Sequence, residues 1–372
     1  MKKILIFSLA YYPQVGGAEV ALKEITDRIP DIEFHLLTLR FNAADVAEEK
    51  IGNIFVHRIG RGNSSYASKI LFMPRAASAA RALHRAHRFD ASWAMMSYML
   101  FPIVLLRFMD LRCPYLLTLQ DGDSFERVFG RWFIFPFRPL LSYGFRHVAA
   151  VTAISMYLAA WAKRMSYRGT PQVIPNGVDL ARFTYSPHRG GGRLVTASRL
   201  VEKNGIDVII RTLTHLPDAS LLICGSGPRE AELKRLAEDL KVAGRMEWYG
   251  HVEHTKLSDI YKTADIFVRP SRSEGMGNSF VEAMAAGLPV IATQEGGIAD
   301  FLFDEKRNLD KEPTGWAVDK DSPGQIAAAV KDIVANPDKV ARITQNAAKM
   351  VREKYNWVLI ARAMKRVLDN LV

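Results

Sequence analysis

Pro270 to Gly297 reads PSRSEGMGNSFVEAMAAGLPVIATQEGG. It runs as a strand end, a glycine-rich loop, a helix, a proline turn, a strand and a glycine turn. Phe280, Val281, Met284 and Ala285 have the spacing of a helix face turned to a core. Strand, loop, helix, strand is the unit of a doubly wound parallel sheet, and ligands in such sheets sit outside the carboxyl ends of the strands. Two carboxylates, Glu274 and Glu282, bracket the loop and the helix start. Ser279 reads as an N-cap with Glu282 three residues later, the S-x-x-E of a capping box, so Glu282 has a structural use beside any binding one. Glu274 has no evident packing role in a glycine loop and is placed to accept hydrogen bonds from ligand hydroxyls. Gly275 and Gly277 free the loop to expose backbone N–H groups around Met276, Gly277 and Asn278.

The same alternation extends in both directions. Lys3 to Ala10 is a continuous apolar run, as in a strand buried on both faces, followed by a loop with Gly16 and Gly17 and a helical pattern from Ala18 to Ile29. Further strands are expected at Glu33–Leu39, Ile54–Ile59, Ala91–Tyr98, Tyr115–Gln120 and Val148–Ala153, with a helix over Ala76–Arg88. PNGVD at Pro175–Asp179, then Pro187, His188 and Gly190 to Gly192, mark a boundary, after which strands and helices alternate again from Leu194. The expectation is two Rossmann-like α/β domains meeting at a cleft, residues 1–175 and 176–355, with a terminal helix over 356–372.

At 372 residues and 49% hydrophobic content there is material for two cores. Cys113 and Cys224 are far apart and have no metal-ligand spacing, which argues against a disulfide framework or a cysteine-based zinc site and for a reduced, cytoplasmic setting. MKKILIFSLA reads as a buried strand rather than a signal peptide, and no apolar run reaches the ~18 residues of a spanning helix. The net charge of +11 is uneven: residues 1–170 hold 22 Lys/Arg against 13 Asp/Glu, and the remainder 28 against 26. That asymmetry points to an anionic partner for the first half.

Three further constellations lie after strands. Gly16-Gly17 opens a helix, whose N-terminus offers N–H groups to an anion, although an ordinary turn explains it equally well. GSGP at Gly225–Pro228 is similar. It lacks the third glycine of G-x-G-x-x-G, since Glu230 stands there, and no P-loop pattern occurs. Arg199 and Lys203, in ASRLVEKNG, are two cations four residues apart between a strand and a helix. They are spaced to face one diphosphate, unless they are solvated surface charge.

Taken in order, AVTAISMYLA, VIPNGVD, TASRLVEKNGID and ADIFVRPSRSEGMGNSFVEAMAAGLPVIAT resemble the motifs of glycosyltransferase family 4, retaining enzymes of the GT-B fold. The likeness covers nearly the whole chain and includes the family's Glu-x7-Glu signature at Glu274 and Glu282. YNWVLIARAMKRVL resembles its terminal helix, which crosses back to the first domain. The resemblance implies that Arg199 and Lys203 bind the diphosphate of a nucleotide-sugar and stabilise the departing charge. Glu282 would hold the ribose, and Glu274 with the backbone of Met276, Gly277 and Asn278 the donor sugar. Gly16 and Gly17 would border the phosphates, and the loop from Gly250 through His251 to Val252 would touch the base. It implies no cofactor, no metal and no enzyme nucleophile. Two departures stand out. The family's histidine after a first-domain strand is replaced by Gln120, followed by Asp121, which either serves the acceptor or caps the next segment. The K-G pair becomes Lys203-Asn204-Gly205, a mild change if Asn204 takes the left-handed geometry.

The basic half suits a lipid-linked or saccharide acceptor at an anionic membrane surface, with transfer to a small soluble acceptor as the alternative. Arg58 to Arg88 holds seven Arg/Lys and no acid. Phe125 to His147 mixes Trp132, Phe133, Phe135, Phe137 and Tyr143 with Arg127, Arg131, Arg138 and Arg146, as interfacial segments do; a packed helix pair with a solvated basic face is the plain alternative. No nucleic-acid module accompanies the charge, and the missing glycine counts against a dehydrogenase. The expected location is the cytoplasmic face of the inner membrane, peripherally bound.

Overall fold

A computed structural model describes residues 1–109, 112–186 and 190–371. Pro187 and His188, assigned above to the linker, and Val372, assigned above to the terminal helix, lie outside the described residues. The chain divides into two compact units: residues 1–176 with 357–372, and residues 177–356.

In the first unit the chain order is β1 (Lys2–Phe7), α1 (Gly17–Thr26), β2 (Ile32–Leu39), β3 (Glu48–Ile51), β4 (Ile54–Ile59), α2 (Tyr66–His87), β5 (Ala91–Met95), α3 (Leu100–Phe108), β6 (Tyr115–Leu119), α4 (Phe125–Phe129), α5 (Arg138–His147), β7 (Ala150–Ala153), α6 (Met156–Arg164) and β8 (Gln172–Val173). The sheet order is β3-β4-β2-β1-β5-β6-β7-β8, parallel except where β3 pairs antiparallel with β4. Succession reverses at β1: the chain fills one side with β2 and β4, then crosses to β5. Ligands are expected at such a switch point, outside the carboxyl ends of β1 and β5.

The second unit repeats the plan with β9 (Arg193–Ala197), α7 (Ile206–Thr212), β10 (Ser220–Cys224), α8 (Glu230–Asp239), β11 (Met246–Gly250), α9 (His254–Tyr261), β12 (Ile266–Arg269), α10 (Asn278–Ala285), β13 (Val290–Ala292), β14 (Trp316–Ala317), α11 (Pro323–Ala335) and α12 (Pro337–Lys354). All its strands are parallel, in the order β11-β10-β9-β12-β13-β14. Its switch point lies between β9 and β12. The two strands are far apart in sequence yet hydrogen-bonded side by side, with Leu194 opposite Ile266 and Val195 opposite Phe267. This adjacency brings the loop carrying Arg199 and Lys203 beside the loop carrying Glu274.

Helices cover both faces of each sheet, so the central strands are apolar along their whole length rather than alternating. Ile4, Ile6, Trp93, Met95 and Leu116 form part of one core; Leu194, Leu221, Ile223, Ile266, Val268 and Ile291 belong to the other. The last helix, α13 (Trp357–Asp369), belongs to the first unit. Trp357, Ile360, Met364, Val367 and Leu368 enter that unit's core, each buried side chain contributing about 1.5–3 kcal/mol. At its edge Lys365 pairs with Asp31 at 2.6 Å and Lys2 with Asp369 at 3.3 Å.

The two units are Rossmann-like, as the sequence led us to expect, but several details differ. The helix expected over Ala76–Arg88 begins ten residues earlier, at Tyr66. Ser65 caps it by accepting from the Ser68 amide at 3.2 Å, and Pro74 lies inside it. Arg58, counted above with the basic run, is buried. Its guanidinium pairs with Glu49 at 2.6 Å and donates to the carbonyls of Val46 and Tyr12, both at 2.7 Å. It is a clamp on the β3–β4 ribbon and not surface charge.

Candidate active site

The site in the second unit is assembled by three loops at the carboxyl ends of β9, β10 and β12. The loop after β10 holds the loop after β9 by close backbone contact. Gly225 has φ +150°, and a Cβ there would stand 1.8 Å from the Ser198 carbonyl oxygen. Leu200 N–H donates to Ser226 O at 3.0 Å, and Arg229 N–H to Leu200 O at 3.2 Å. The glycines of GSGP therefore serve this approach. Arg199 sits at the crest of the supported loop, exposed.

Lys203 lies half-buried in a short 3-10 turn, Glu202–Asn204. Arg272 fastens that turn: its amide donates to Lys203 O at 2.7 Å and its Nη1 to Glu202 O at 2.6 Å. The same guanidinium grips Asp207 with two bonds, of 3.0 and 2.7 Å, the bidentate geometry that gives arginine pairs their directionality. The left-handed residue here is Gly205, at φ +68°. Asn204 keeps helical geometry and is buried, its Nδ2 donating to Arg199 O at 2.7 Å. The substitution in the K-G pair thus places a connector rather than a tolerant turn residue.

Glu274 is buried, contrary to the picture of a carboxylate with no packing role. Its Oε2 pairs with Arg269 Nη2, and its Oε1 accepts from the Gly275 amide at 2.9 Å. Arg269 is equally buried. It also donates from Nη1 to Ser279 Oγ at 2.9 Å and from Nη2 to Asn204 Oδ1 at 3.2 Å, and its guanidinium lies 4.8 Å from the centroid of the Phe280 ring. One cation therefore joins the Glu274 carboxylate, the start of α10 and, through Asn204, the carbonyl of Arg199.

The capping box does not form. Gly277, at φ +83°, occupies the N-cap, so α10 begins at Asn278 and Ser279 lies inside the first turn with its hydroxyl taken by Arg269. Glu282 is released from capping. Its Oε1 lies 2.7 Å from His254 Nε2, and His254 Nδ1 lies 3.0 Å from Arg182 Nη1. Because arginine only donates, His254 Nδ1 is the acceptor and Nε2–H donates to Glu282. His251, exposed, and Val252, half-buried, lie in the loop between β11 and α9, three and two residues before that histidine. Met276 is buried beneath the glycine loop, with Gly277 and Asn278 half-buried beside it.

In the first unit Gly16 and Gly17 are exposed at the start of α1. The Gly16 amide is already taken by Glu19 Oε2 at 2.8 Å, and burial raises the Glu19 pKa against the hydrogen bonds that lower it. One of the N–H groups expected for an anion is thus occupied by the chain's own carboxylate. Gln120 is buried and its Oε1 accepts from Asn176 Nδ2 at 3.3 Å. Asp121 does not cap the next segment; Ser124 does so for α4. Instead Asp121 Oδ2 accepts from Ser97 N at 3.3 Å and Ser97 Oγ at 2.8 Å. That bond holds the chain after Met96, which has φ +69° and ψ +157°, a conformation costly for a residue with a side chain.

Burial pushes the Asp121 carboxyl up to about 6, with Asp123 adding to the shift. A folded-state value above the unfolded one, about 3.9, makes the stability from this proton complete below pH ~4 and lost as pH rises through about 6. Asp121→Asn keeps an acceptor for Ser97 without the titration. The stability difference between variant and parent, read by urea unfolding at pH 5 and pH 7.5, should shift towards the variant at the higher pH. An equal difference at both values contradicts this account.

Sequence reasoning did not single out Arg269, Arg272 or His254. A signal existed for Arg269: a lone cation ends the otherwise apolar strand IFVR, where only a buried counter-charge makes it tolerable.

A family profile described as Glycosyltransferase Family 4 matches residues 15–182, and one described as Glycosyl transferases group 1 matches residues 184–350. The two halves of the chain thus match glycosyltransferase family models, on a GT-B fold. The chain is 31% identical over 230 residues to the GDP-mannose-dependent alpha-(1-6)-phosphatidylinositol monomannoside mannosyltransferase of Mycolicibacterium smegmatis, a match covering 56% of this chain and 58% of that one. It thus spans under two thirds of that relative's length. An uncharacterized glycosyltransferase of Methanocaldococcus jannaschii is 23% identical over 375 residues, with 99% of this chain and 98% of the other covered. Two solved structures share the chain's fold. The sucrose-phosphate synthase of Thermosynechococcus elongatus has a TM-score of 0.86 at 20% identity, covering 100% of this chain and 99% of that one. Anabaena HepE, solved with UDP and glucose, has a TM-score of 0.80 at 20% identity, covering 100% of both chains.

Proposed function

We propose that the protein is a retaining glycosyltransferase that moves a sugar from a UDP- or GDP-linked donor to a lipid-linked or saccharide acceptor in the building of cell-surface glycans. The observation that carries this reading is the adjacency of β9 and β12, which sets the Arg199–Lys203 loop beside Glu274 at one switch point. In this scheme the sugar C1–O bond to the diphosphate breaks and negative charge gathers on the β-phosphate. Arg199 and Lys203 stabilise it, electrostatic work of the kind that dominates such reactions. The acceptor hydroxyl attacks from the face the diphosphate leaves, and its proton passes to the departing phosphate oxygen. Glu274 and the Met276–Asn278 backbone hold the sugar, Glu282 the ribose, and the His251–Val252 loop the base. No step calls for a metal. The test is a panel of nucleotide-sugars with free nucleotide as readout. The relative from Mycolicibacterium makes GDP-mannose the first donor to try. Turnover of one donor class is the expected result; no hydrolysis or transfer with any donor, in the presence of mixed lipid and saccharide acceptors, overturns it.

The lipid-linked acceptor and a peripheral position on the cytoplasmic face of the inner membrane have support from one exposed patch. Phe125, Phe129 and Phe145 pack against Trp161 or one another inside the first unit, whereas Trp132, Phe135 and Phe137 are exposed, as are Tyr66, Ile70 and Leu71 on α2. Tyr66 meets Phe133 edge-on at 5.9 Å, so these aromatics and α2 form one surface. Arg81, Arg85 and Arg88 are exposed further along the same stretch. No helix among the described residues is long and apolar enough to cross a membrane. Vesicles containing anionic lipid should bind the protein in a salt-sensitive way. Trp132→Ala and charge reversal at Arg81, Arg85 and Arg88 should each weaken that binding; unchanged binding in both variants refutes the surface.

A further inference from the structure

We propose that the first unit holds a site for a divalent transition-metal ion of the zinc class, with Glu33, His35 and His87 as ligands, separate from the sugar-transfer site. Glu33 and His35 are two residues apart on β2 and so project from the same face of the sheet. The last turn of α2 brings His87 over that face, its ring 4.4 Å from the His35 ring. One carboxylate oxygen of Glu33 and one ring nitrogen from each histidine lie within 4.8 Å of one another. A tetrahedral ion with bonds of about 2.0–2.1 Å holds its ligand atoms roughly 3.4 Å apart. Small rotations, chiefly of the half-buried His87, close that set. Imidazole and carboxylate donors suit zinc, cobalt or nickel.

The hydrogen-bond inventory around the three ligands is compatible with such an ion. Glu33 Oε1 lies 3.0 Å from His35 Nε2, His35 Nδ1 lies 3.0 Å from His57 Nε2, and His57 Nδ1 lies 3.1 Å from Glu48 Oε1. Three contacts between two acceptor-only carboxylates require three protons, but two neutral imidazoles supply two N–H groups. The row is one positive charge short. A third proton would make an imidazolium either of His35, a buried charge in a pocket walled by Phe55 and Phe89, or of His57 beside Glu48. A metal ion on His35 Nε2 removes the shortfall. His35 Nδ1–H then donates to His57 Nε2, and His57 Nδ1–H donates to Glu48. This is the outer hydrogen-bond chain that orients metal-bound histidines elsewhere. Lys3, whose Nζ lies 2.9 Å from Glu33 Oε1, must swing away on binding; its side chain is one-third exposed, at 32%. The ion would tie the end of α2 to β2, beside the β3–β4 ribbon.

The full chain, stripped with chelator and desalted, should be titrated with Co2+ and followed by visible absorption and calorimetry. One equivalent per chain with ligand-field bands, displaced by Zn2+, is the expected result. His87→Ala and Glu33→Gln should abolish the bands. His57→Gln, which touches only the outer chain, should weaken binding about 10–100-fold. His147→Ala, at an exposed histidine on α5, should leave it unchanged. Circular dichroism of each variant separates loss of ligand from loss of fold. Absence of saturable binding, or equal binding in folded His87→Ala and Glu33→Gln, overturns the proposal.

Discussion

Arg269→Leu is expected to cost the second unit about 3–5 kcal/mol, the penalty for stranding one partner of a buried ion pair. Glu274 would keep the Gly275 amide and lose its counter-charge, while Asn204 Oδ1 and Ser279 Oγ would each lose a donor. Urea unfolding measures the loss. Arg269→Lys should restore little, because an ammonium cannot span three acceptors set in the plane of a guanidinium. Arg269→Leu combined with Glu274→Leu should be more stable than Arg269→Leu alone, since no charge is then left unpaired. A single-variant cost below about 1 kcal/mol would mean that water reaches the pair and that Glu274 is held by its loop alone.

Lys203→Ala and Arg199→Ala are each expected to lower kcat/KM for the donor by about 10²–10³-fold, the usual effect of removing one group that stabilises transition-state charge. This expectation depends on the proposed reaction. Arg199 is exposed and Lys203 half-buried, so melting temperatures should change little and the loss should appear in turnover. Asn204→Ala provides the contrast. It frees the Arg199 carbonyl and one Arg269 contact together, so stability and turnover should fall in step. If both cation variants kept full turnover in a folded protein, the diphosphate would have to be held elsewhere.

How far the sequence could be read depended on whether the relevant partners are local. The two α/β units follow from apolar runs that alternate with helical spacing, a pattern set by burial on both faces of each sheet. The length of α2 was harder to see, because Pro74 reads as a helix end although the flanking turns carry the helix past it. In α10, Ser279 reads as the cap, but Gly277, at a left-handed φ, takes that place, and residue type alone does not report φ. Glu274 was legible as a buried-site carboxylate only once Arg269 was set beside it at the end of β12. The row Glu33, His35, His57 and Glu48 draws on three strands, and strand order is needed to see it.

The return of α13 has a bearing on biosynthesis. Its apolar face completes a core whose other walls are made before residue 177, yet it is translated only after the whole second unit. At ~5–20 residues per second, residues 177–356 take roughly 10–40 s to synthesise. Through that interval the groove awaiting Trp357, Ile360, Met364 and Leu368 stands open, while the second unit has all it needs to fold. The whole sequence of the second unit is therefore available before the first unit receives its last helix.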